Sequence, residues 1–440
     1  MSFEDVIIKA LGLQDVKIEK VVQFEDLLKL EVHVRQERQL CVCHTCGNSI
    51  LQVHEWKERV IRGPIFGAFL YVYIHLKQLR GLCHICEDRI KSARVSFTHP
   101  NFQNMTMALC EQAGRLMEEL PCEAVSRFYN LNSKTMWDLD RVRMEMMKPI
   151  LKLPDDIDLS KMSADEVHFR TMQKETSLKK PSIKFVTNLV CYNSSKVLAN
   201  ASGRDSAALF NCLKVLSSEQ LLTIKSFAVD MHDAYILVIK KFCPNAQICI
   251  DRFHLAERVN SAFDEVRKIE FKRAKESNDV FQLGMLMPHR RFVLVEREKK
   301  LSSKDIKMLD RLKELNKNIL NGMILVEHFH KILDKTDVNE FRKSLTLWYH
   351  LVRDSGLKPF RNLSKTIRKY RDYIEAYVKS KLTTAVSEGI NNKIKVLKRM
   401  GYGYSNEHSF MNKILQRCGY LNSRHIDTTS WFWRAPLGLA

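Results

Sequence analysis

Two C-x-x-C knuckles constrain the fold of the N-terminal region. They are Cys43-His-Thr-Cys46 and Cys83-His-Ile-Cys86, and the 36 residues 47–82 separate them. Two thiolates from each tight turn can face one tetrahedral cation. Between the knuckles, residues 67–77 alternate with the period of a half-buried strand. The sequence therefore predicts a zinc-binding β module over residues 1–95, with a closed, structural Zn²⁺ site and no zinc catalysis.

Other ligands and other roles for these cysteines remain open. Four further side chains could replace a thiolate as a zinc ligand: Cys41, His44, His54 and His84. A redox dithiol is disfavoured, because such motifs come singly in a βαβ context. Coincidental buried cysteines are also disfavoured, because two knuckles flank one predicted sheet. Cysteines in apolar stretches, such as Cys191, are typical of small core residues in a reducing compartment.

The charge balance indicates the class of partner. Lys and Arg number 71 against 51 acids, a net charge of +20. Such an excess attracts polyanions by releasing their condensed counterions, so nucleic acid is the predicted partner, with a merely basic surface as the alternative. No apolar run approaches the roughly 18 residues of a membrane helix, and the first residues lack the basic start of a signal peptide. We expect a cytoplasmic protein, not a secreted or membrane one.

Residues 96–150 have the pattern of a helix-turn-helix domain. After a helical stretch at 105–119, a short helix over 122–129 is followed by a turn at 130–132 and by a third helix. The residues on the predicted groove-facing side of that third helix are Ser133, Lys134, Thr135, Asp138 and Arg141. An ordinary three-helix bundle has the same spacing, and the adjacent zinc module and basic charge favour DNA binding.

An α/β pattern begins near residue 160. The predicted strands are 163–169, 183–192, 196–201, 224–230 and 247–251, with helices at about 205–217 and 232–242. Three strands followed by alternating helix and strand is the order of a ribonuclease H-like sheet. The predicted fold class is multidomain α/β, with this sheet as the catalytic core over residues 160–255.

Carboxylates at the ends of neighbouring strands suggest a metal site. Asp165 or Glu166 on the first strand and Asp230 on the fourth would repel each other unless a divalent cation took their oxygens as ligands. Two cations about 3.5–4 Å apart could activate a nucleophile and stabilise a leaving oxygen at one phosphorus. This chemistry requires a third acid.

Glu388 is the candidate for the third acid. Helical spacing places it on one face with Asn391, Asn392, Lys395 and Arg399, a set that suits metal and phosphate. A solvated face of an amphipathic helix is the alternative.

The flanking regions complete the predicted domain organisation. Residues 256–380 form an all-α insertion, since Gly322 is the only Gly or Pro across 289–355. Residues 381–440 contain the final core helix and a basic tail with interleaved aromatic residues, including Trp431, Phe432 and Trp433. Such a tail can track a phosphate backbone, with an amphipathic C-terminal helix as the alternative.

Several motifs together resemble the bacterial insertion-sequence transposases of the ISL-three family. They are Asp230-Met-His-Asp-Ala-Tyr235, Asp251-Arg-Phe-His254, Ser387-Glu388-Gly-Ile-Asn391-Asn-Lys-Ile-Lys395 and the N-terminal knuckles. The resemblance covers nearly the whole chain. It departs from the family pattern at residues 170–176, Arg-Thr-Met-Gln-Lys-Glu-Thr, where the usual glycine is missing.

The resemblance implies a DDE transposase with two Mg²⁺ or Mn²⁺ ions. Asp165, Asp230 and Glu388 fall on the metal-binding acids, with Glu166 as the alternative first acid, and Asp251 and His254 fall on a supporting D-x-x-H motif.

The expected partners follow from the same resemblance. They are double-stranded DNA, as the terminal inverted repeats of the element and as target DNA, and further copies of the chain, in a homodimer or higher oligomer on the bacterial nucleoid. The basic residues expected to contact DNA in the final helix are Lys395, Lys398 and Arg399.

Two other functions remain as alternatives. The first is a transposase-derived DNA-binding protein that no longer cuts DNA, which the altered residues 170–176 keep open. The second is another ribonuclease H-like nuclease, such as a junction resolvase. It ranks lower, because it gives no reason for the knuckles or the long helical insertion.

Overall fold

Alternation of apolar and polar residues builds the first sheet. Along β2 (Lys29–Gln36) every second side chain is buried, and β4 (Tyr71–Cys83) follows nearly the same pattern, as expected for strands with one face on a core. That core also takes the apolar side of α1 (Phe3–Leu11) through Ile7 and Leu11. The computed structural model describes residues 3–50, 52–87, 89–172, 182–288, 302–401 and 403–428.

The first sheet has seven strands in the order β1-β2-β4-β3-β7-β6, with β5 paired to β4. The remaining strands of the sheet are β1 (Val16–Phe24), β3 (Gln52–Gly63), β5 (Arg89–Ser92), β6 (Thr98–His99) and β7 (Phe102–Thr106). β2 and β4 run parallel, whereas β3 and β5 are antiparallel to β4.

The chain divides into two compact units. The first contains residues 1–153 and 395–440, and the second contains residues 154–394.

Three helices follow the sheet in the first unit. They are α2 (Met107–Met117), α3 (Cys122–Tyr129) and α4 (Ser133–Met147). The predicted turn at 130–132 is present. Asn130 adopts the left-handed conformation with φ 51°, which asparagine tolerates better than most residues. The Asn132 side chain then accepts a hydrogen bond from the Lys134 amide and caps α4.

The second unit contains a five-stranded sheet in the order β10-β9-β8-β11-β12. Its strands are β8 (Lys161–Met172), β9 (Ser182–Cys191), β10 (Lys196–Ser202), β11 (Ser226–Val229) and β12 (Gln247–Ile250). β9 is antiparallel to both of its neighbours, β8 and β10, and β11 lies parallel to both β8 and β12. The connecting helices are α5 (Ser206–Leu213), α6 (Ser218–Thr223) and α7 (Asp233–Phe242).

Helices fill the described chain between β12 and the final site helix. They are α8 (Arg252–Glu276), α9 (Val280–Leu286), α10 (Ser303–Leu315), α11 (Lys317–Asp334), α12 (Val338–Ser355), α13 (Lys358–Lys369) and α14 (Arg371–Ser380). Buried aromatic residues such as Phe329 and Trp348 lie among them, with ring centroids 5.0 Å apart. Two more helices follow, α15 (Ala385–Met400) and α16 (Glu407–Cys418).

The architecture is therefore mixed α/β, as predicted. Within the described ranges no helix is long and apolar enough to cross a lipid bilayer. Part of the 170–176 stretch and the aromatic residues Trp431, Phe432 and Trp433 lie outside the described residues.

Candidate functional site

Three aspartates lie side by side at one edge of the second sheet. The parallel register pairs Ser163 with Ala228 and Val229 with Ile250. Extending that register past the strand ends places Asp165, Asp230 and Asp251 next to one another. Carboxyl ends of parallel strands share one edge of a sheet, which is where ligands bind in open α/β sheets. The register thus brings together acids that lie up to 86 positions apart in the sequence.

Helix α15 is joined to strand β8 by two side-chain contacts. Asn391 Nδ2 donates a hydrogen bond of 2.7 Å to Asp165 Oδ2. The hydroxyls of Ser163 and Ser387 lie 2.5 Å apart and share another. Residues two apart on a strand face the same way, as do residues four apart on a helix, so the two contacts reinforce each other. The Glu166 amide also donates to Asp165 Oδ1 at 2.8 Å.

Burial and like charge disfavour ionisation of the first-strand acids. Burial raises the pKa of Asp165 to about 6, and the nearby Asp230 and Asp251 act in the same direction. Burial also raises the pKa of Glu166 to about 7, with Asp165 and Asp230 as further causes. A cation bound to these oxygens would remove the repulsion.

Asp251 contacts the segment that leads into α15. Its side chain is 1% exposed. It accepts a hydrogen bond from the Thr384 amide at 3.2 Å and another from the Thr384 hydroxyl. A fully buried carboxylate needs such donors, because an unpaired buried charge is strongly unfavourable. In this structure Asp251 therefore positions the start of α15.

Glu388 and His254 are the remaining candidate residues of the site. Glu388 is exposed on α15, directly after Ser387 and one turn before Asn391. His254 Nδ1 lies 3.7 Å from Asp230 Oδ1, and both side chains are 27% exposed. Three buried residues with contacts at this site were not predicted from the sequence: Ser163, Ser387 and Thr384. The one sequence feature that could have indicated these three residues is that they lie close to the candidate acids in the same motifs.

The oxygen donors fit a hard divalent cation. Asp165, Glu166 and Asp230 offer carboxylate oxygen, the ligand that Mg²⁺ and Mn²⁺ prefer. Burial first, and like charge second, raises the pKa of Asp165 and of Glu166. Among the described residues, however, the three candidate acids Asp165, Asp230 and Glu388 do not form a ligand set within 4.8 Å of one another. An ion bound by all three would require their carboxylates to move closer together.

Four cysteines of the first unit do form such a set. Cys43, Cys46, Cys83 and Cys86 have their sulfur atoms within 4.8 Å of one another. Cys43 Sγ lies 4.0 Å from Cys86 Sγ, and Cys46 Sγ lies 3.4 Å from Cys83 Sγ. In a tetrahedral Zn²⁺ site with Zn–S bonds of about 2.3 Å the sulfur atoms are about 3.8 Å apart. The thiolate set therefore fits zinc. Among the alternative ligands, Cys41 donates from its thiol to the Glu37 carbonyl at 3.4 Å.

The predicted DNA-contacting residues of α4 differ in their surroundings. Lys134 and Arg141 are exposed, while Ser133, Thr135 and Asp138 are half-buried. The Arg141 guanidinium lies 3.5 Å from Asp138 Oδ1 and 3.4 Å from Glu145 Oε1. Lys134 is therefore the more available cation of the two.

The basic residues at the C-terminal side fall into two groups. In α15, Lys395 and Arg399 are exposed, and burial lowers the pKa of the half-buried Lys398. In α16, Lys413 is buried, with its Nζ 2.6 Å from Asp140 Oδ2 and 2.8 Å from the Met117 carbonyl. The described part of the predicted basic tail thus includes a helix anchored by buried polar contacts.

Comparisons with known proteins place this arrangement in a family. Residues 163–414, which include all the acids of the site, match the family model described as "Transposase" for ISL-three DDE enzymes. The chain is 26% identical over 406 residues to the transposase for insertion sequence element IS1001 of Bordetella parapertussis, covering 92% of this chain and 95% of that protein. It is 21% identical over 239 residues to the transposase for insertion sequence element IS1557 of Mycobacterium tuberculosis, covering 50% of this chain and 54% of that protein. The chain therefore belongs to the ISL-three family of DDE transposases.

Proposed function

We propose that the protein binds the terminal inverted repeats of its own insertion sequence, cuts DNA at the ends of the element and joins them to target DNA. Family membership supports the transposase activity. The observation that carries the chemistry is the register of the second sheet, which makes Asp165, Asp230 and Asp251 neighbours. The strand order β10-β9-β8-β11-β12 supports the ribonuclease H-like fold expected from the sequence.

The proposed metal ligands are Asp165, Asp230 and Glu388. Two Mg²⁺ or Mn²⁺ ions bound there would supply activation of the attacking oxygen and stabilisation of the leaving oxygen at one phosphorus. Asn391 holds Asp165 in place, Thr384 and Asp251 fix the start of the helix that carries Glu388, and His254 lies beside Asp230. Water and then the 3′-hydroxyl of the element serve as nucleophiles, so no nucleophilic side chain is required.

The proposed DNA-binding regions lie mainly in the first unit. The four cysteines would hold a structural Zn²⁺ with all four positions filled, which stabilises the sheet and leaves no site for zinc catalysis. Helices α3 and α4 would act as the helix-turn-helix, with α4 in the major groove. The net charge of +20 supports binding to the phosphate backbone. Because an element has two ends, we expect a dimer or higher oligomer on nucleoid DNA.

A cleavage and strand-transfer assay tests this proposal. The substrate is a labelled fragment with the terminal repeat and flanking DNA, incubated with Mg²⁺ or Mn²⁺. Wild type should nick and join it, and Asp230→Asn should lose both activities while it still binds the repeat. Asp233→Asn is the matched control, because Asp233 is exposed and bonded to Lys369 and Tyr370. Specific binding without cleavage by wild type would instead support the non-catalytic DNA-binding protein.

A further inference from the structure

A pair of histidines lies on the solvent-facing side of the first sheet. His33 of β2 and His75 of β4 are direct neighbours in the parallel register. Their rings stack, with centroids 4.5 Å apart and an interplanar angle of 14°. Glu31 precedes His33 by two residues and therefore points to the same side of the sheet. The three side chains form a cluster separate from the four-cysteine set, although His75 lies only eight positions before Cys83.

The ligand atoms of this cluster are already close together. His33 Nε2 lies 3.8 Å from Glu31 Oε2, and His75 Nε2 lies 3.7 Å from Glu31 Oε1. One ligand atom from each residue lies within 4.8 Å of the other two. His75 Nε2 is also shielded from solvent without a hydrogen-bond partner. Such an unpaired nitrogen is unfavourable, and a bound metal ion would give it a partner.

We propose that Glu31, His33 and His75 form a second metal site, for a late first-row transition-metal dication such as Zn²⁺. Two imidazole nitrogens and one carboxylate oxygen suit these ions, whereas Mg²⁺ prefers an all-oxygen set. Three protein ligands leave one tetrahedral position for water.

The side chains have room to complete this site. With Zn–N bonds of about 2.0–2.1 Å, ligand atoms in a tetrahedral site lie about 3.3 Å apart. The cluster has to contract by roughly half an ångström on that basis, and the two rings have to rotate so that their nitrogens converge. Side-chain exposures of 35% for His33, 32% for His75 and 18% for Glu31 leave space for those rotations.

Lys29 sets the orientation and the strength of the site. Its Nζ lies 2.6 Å from Glu31 Oε1, so it can hold one carboxylate oxygen while Oε2 stays available. Ligating carboxylates commonly accept such an outer hydrogen bond. The ammonium charge also repels a cation. The second site should therefore bind a metal ion more weakly than the four cysteines do, and it should become occupied only after the cysteine site. A bound ion would link β2 to β4 directly. This inference does not depend on the proposed DNA chemistry.

Cobalt titration of full-length protein purified with Zn²⁺ tests the second site. With zinc retained by the four cysteines, one equivalent of Co²⁺ should bind and give weak visible d–d bands without the intense thiolate-to-cobalt charge transfer. The double variant His33→Gln/His75→Gln should lose this equivalent. His350→Gln is the matched control, because His350 is exposed on α12, and it should bind as wild type does. Glu31→Gln should weaken binding at least about tenfold.

Two results would overturn the proposal. One is a wild-type protein that takes up no cobalt beyond the thiolate site. The other is a double variant that binds cobalt with the wild-type affinity and spectrum. Unchanged zinc content of the double variant at the four cysteines would show that its first unit is folded, so that a lost cobalt equivalent reports the site itself.

Discussion

Asn391 Nδ2 lies 2.7 Å from Asp165 Oδ2, so helix α15 orients the first candidate acid as well as carrying the third. Asn391 is buried, whereas Asn339 is exposed on α12, far in sequence from the candidate acids. The two amides thus give a matched pair of variants.

Asn391→Ala should slow DNA cleavage by about 10–100-fold, in line with the loss of a group that orients a metal ligand. The expected cause is free rotation of the Asp165 carboxylate, so the Mn²⁺ concentration for half-maximal rate should rise while binding to the terminal repeat stays unchanged. Asn339→Ala should cleave at the wild-type rate. Equal rates for both variants would remove Asn391 from the site.

The raised pKa values of Asp165 and Glu166 predict how stability depends on pH without Mg²⁺. Both groups keep a proton in the folded chain at pH values where the unfolded chain, with pKa near 4, has lost it. The folded state thus binds more protons between about pH 4 and 7, so its stability falls as pH rises through that window, by up to about 2 kcal/mol per group.

Thermal unfolding between pH 5 and 8, with zinc retained and no Mg²⁺ added, measures this effect. The double variant Asp165→Asn/Glu166→Gln should show a shallower fall in Tm than wild type. Glu219→Gln, at an exposed acid on α6, should retain the wild-type slope. A double variant with the wild-type slope would contradict the assigned cause.

Thr384→Val should destabilise the protein by about 1–3 kcal/mol, because it leaves the buried Asp251 carboxylate without its hydroxyl donor. Urea unfolding monitors the change. Thr346→Val removes a hydroxyl of similar size that bonds the Arg342 carbonyl on an exposed part of α12. Thr346→Val should lower the free energy of unfolding by far less than Thr384→Val. A similar decrease in both variants would show that Asp251 does not depend on the Thr384 hydroxyl.

Cys83→Ser should abolish the thiolate-to-metal charge transfer of protein with cobalt at the four cysteines. Cys41→Ser should keep it, although Cys41 is close in sequence to the first knuckle. The Cys41 thiol donates to the Glu37 carbonyl, and Cys41 is not among the four cysteines whose sulfur atoms lie within 4.8 Å of one another. Loss of the band in Cys41→Ser would make Cys41 a ligand.

Lys134→Ala should weaken DNA binding and lower the salt slope of the binding constant by about 1, the effect of one lost phosphate contact. Arg141→Ala should change the slope less, because Asp138 and Glu145 already neutralise its guanidinium. Filter binding or fluorescence anisotropy across a salt series measures both. A larger change in the salt slope for Arg141→Ala than for Lys134→Ala would show that Arg141 makes the main phosphate contact.

The periodicity of apolar residues allowed the strands to be predicted. Contacts between residues far apart in the sequence could not be predicted. The sequence predicted one helix at about 205–217, whereas the structure has α5 and α6, separated at Ser217. Ser217 and Gln220 form a capping box, a signal that could have shown the break.

The buried Lys413–Asp140 ion pair shows the limit of sequence interpretation. A lysine is normally solvated, and its partner lies 273 residues away. The Ser163–Ser387 contact spans 224 residues and involves two small hydroxyls without any pattern of their own. The candidate acids could be named from the sequence because they lie in family motifs and on or directly after predicted strands, or on a predicted helix. The residues that hydrogen-bond to these acids could not be predicted, because their contacts depend on how distant segments of the chain pack together.

The bonds between Asp251 and Thr384 join parts of the chain that are 133 residues apart. At about 5–20 residues per second on the ribosome, roughly 7–27 s separate the synthesis of the two partners. During that interval the growing chain has its sheet and its aspartates but lacks α15, and with it Asn391 and Glu388. The proposed DNA-cutting site is therefore completed only after α15 has been synthesised, so a nascent chain that has not reached α15 lacks the proposed third acid.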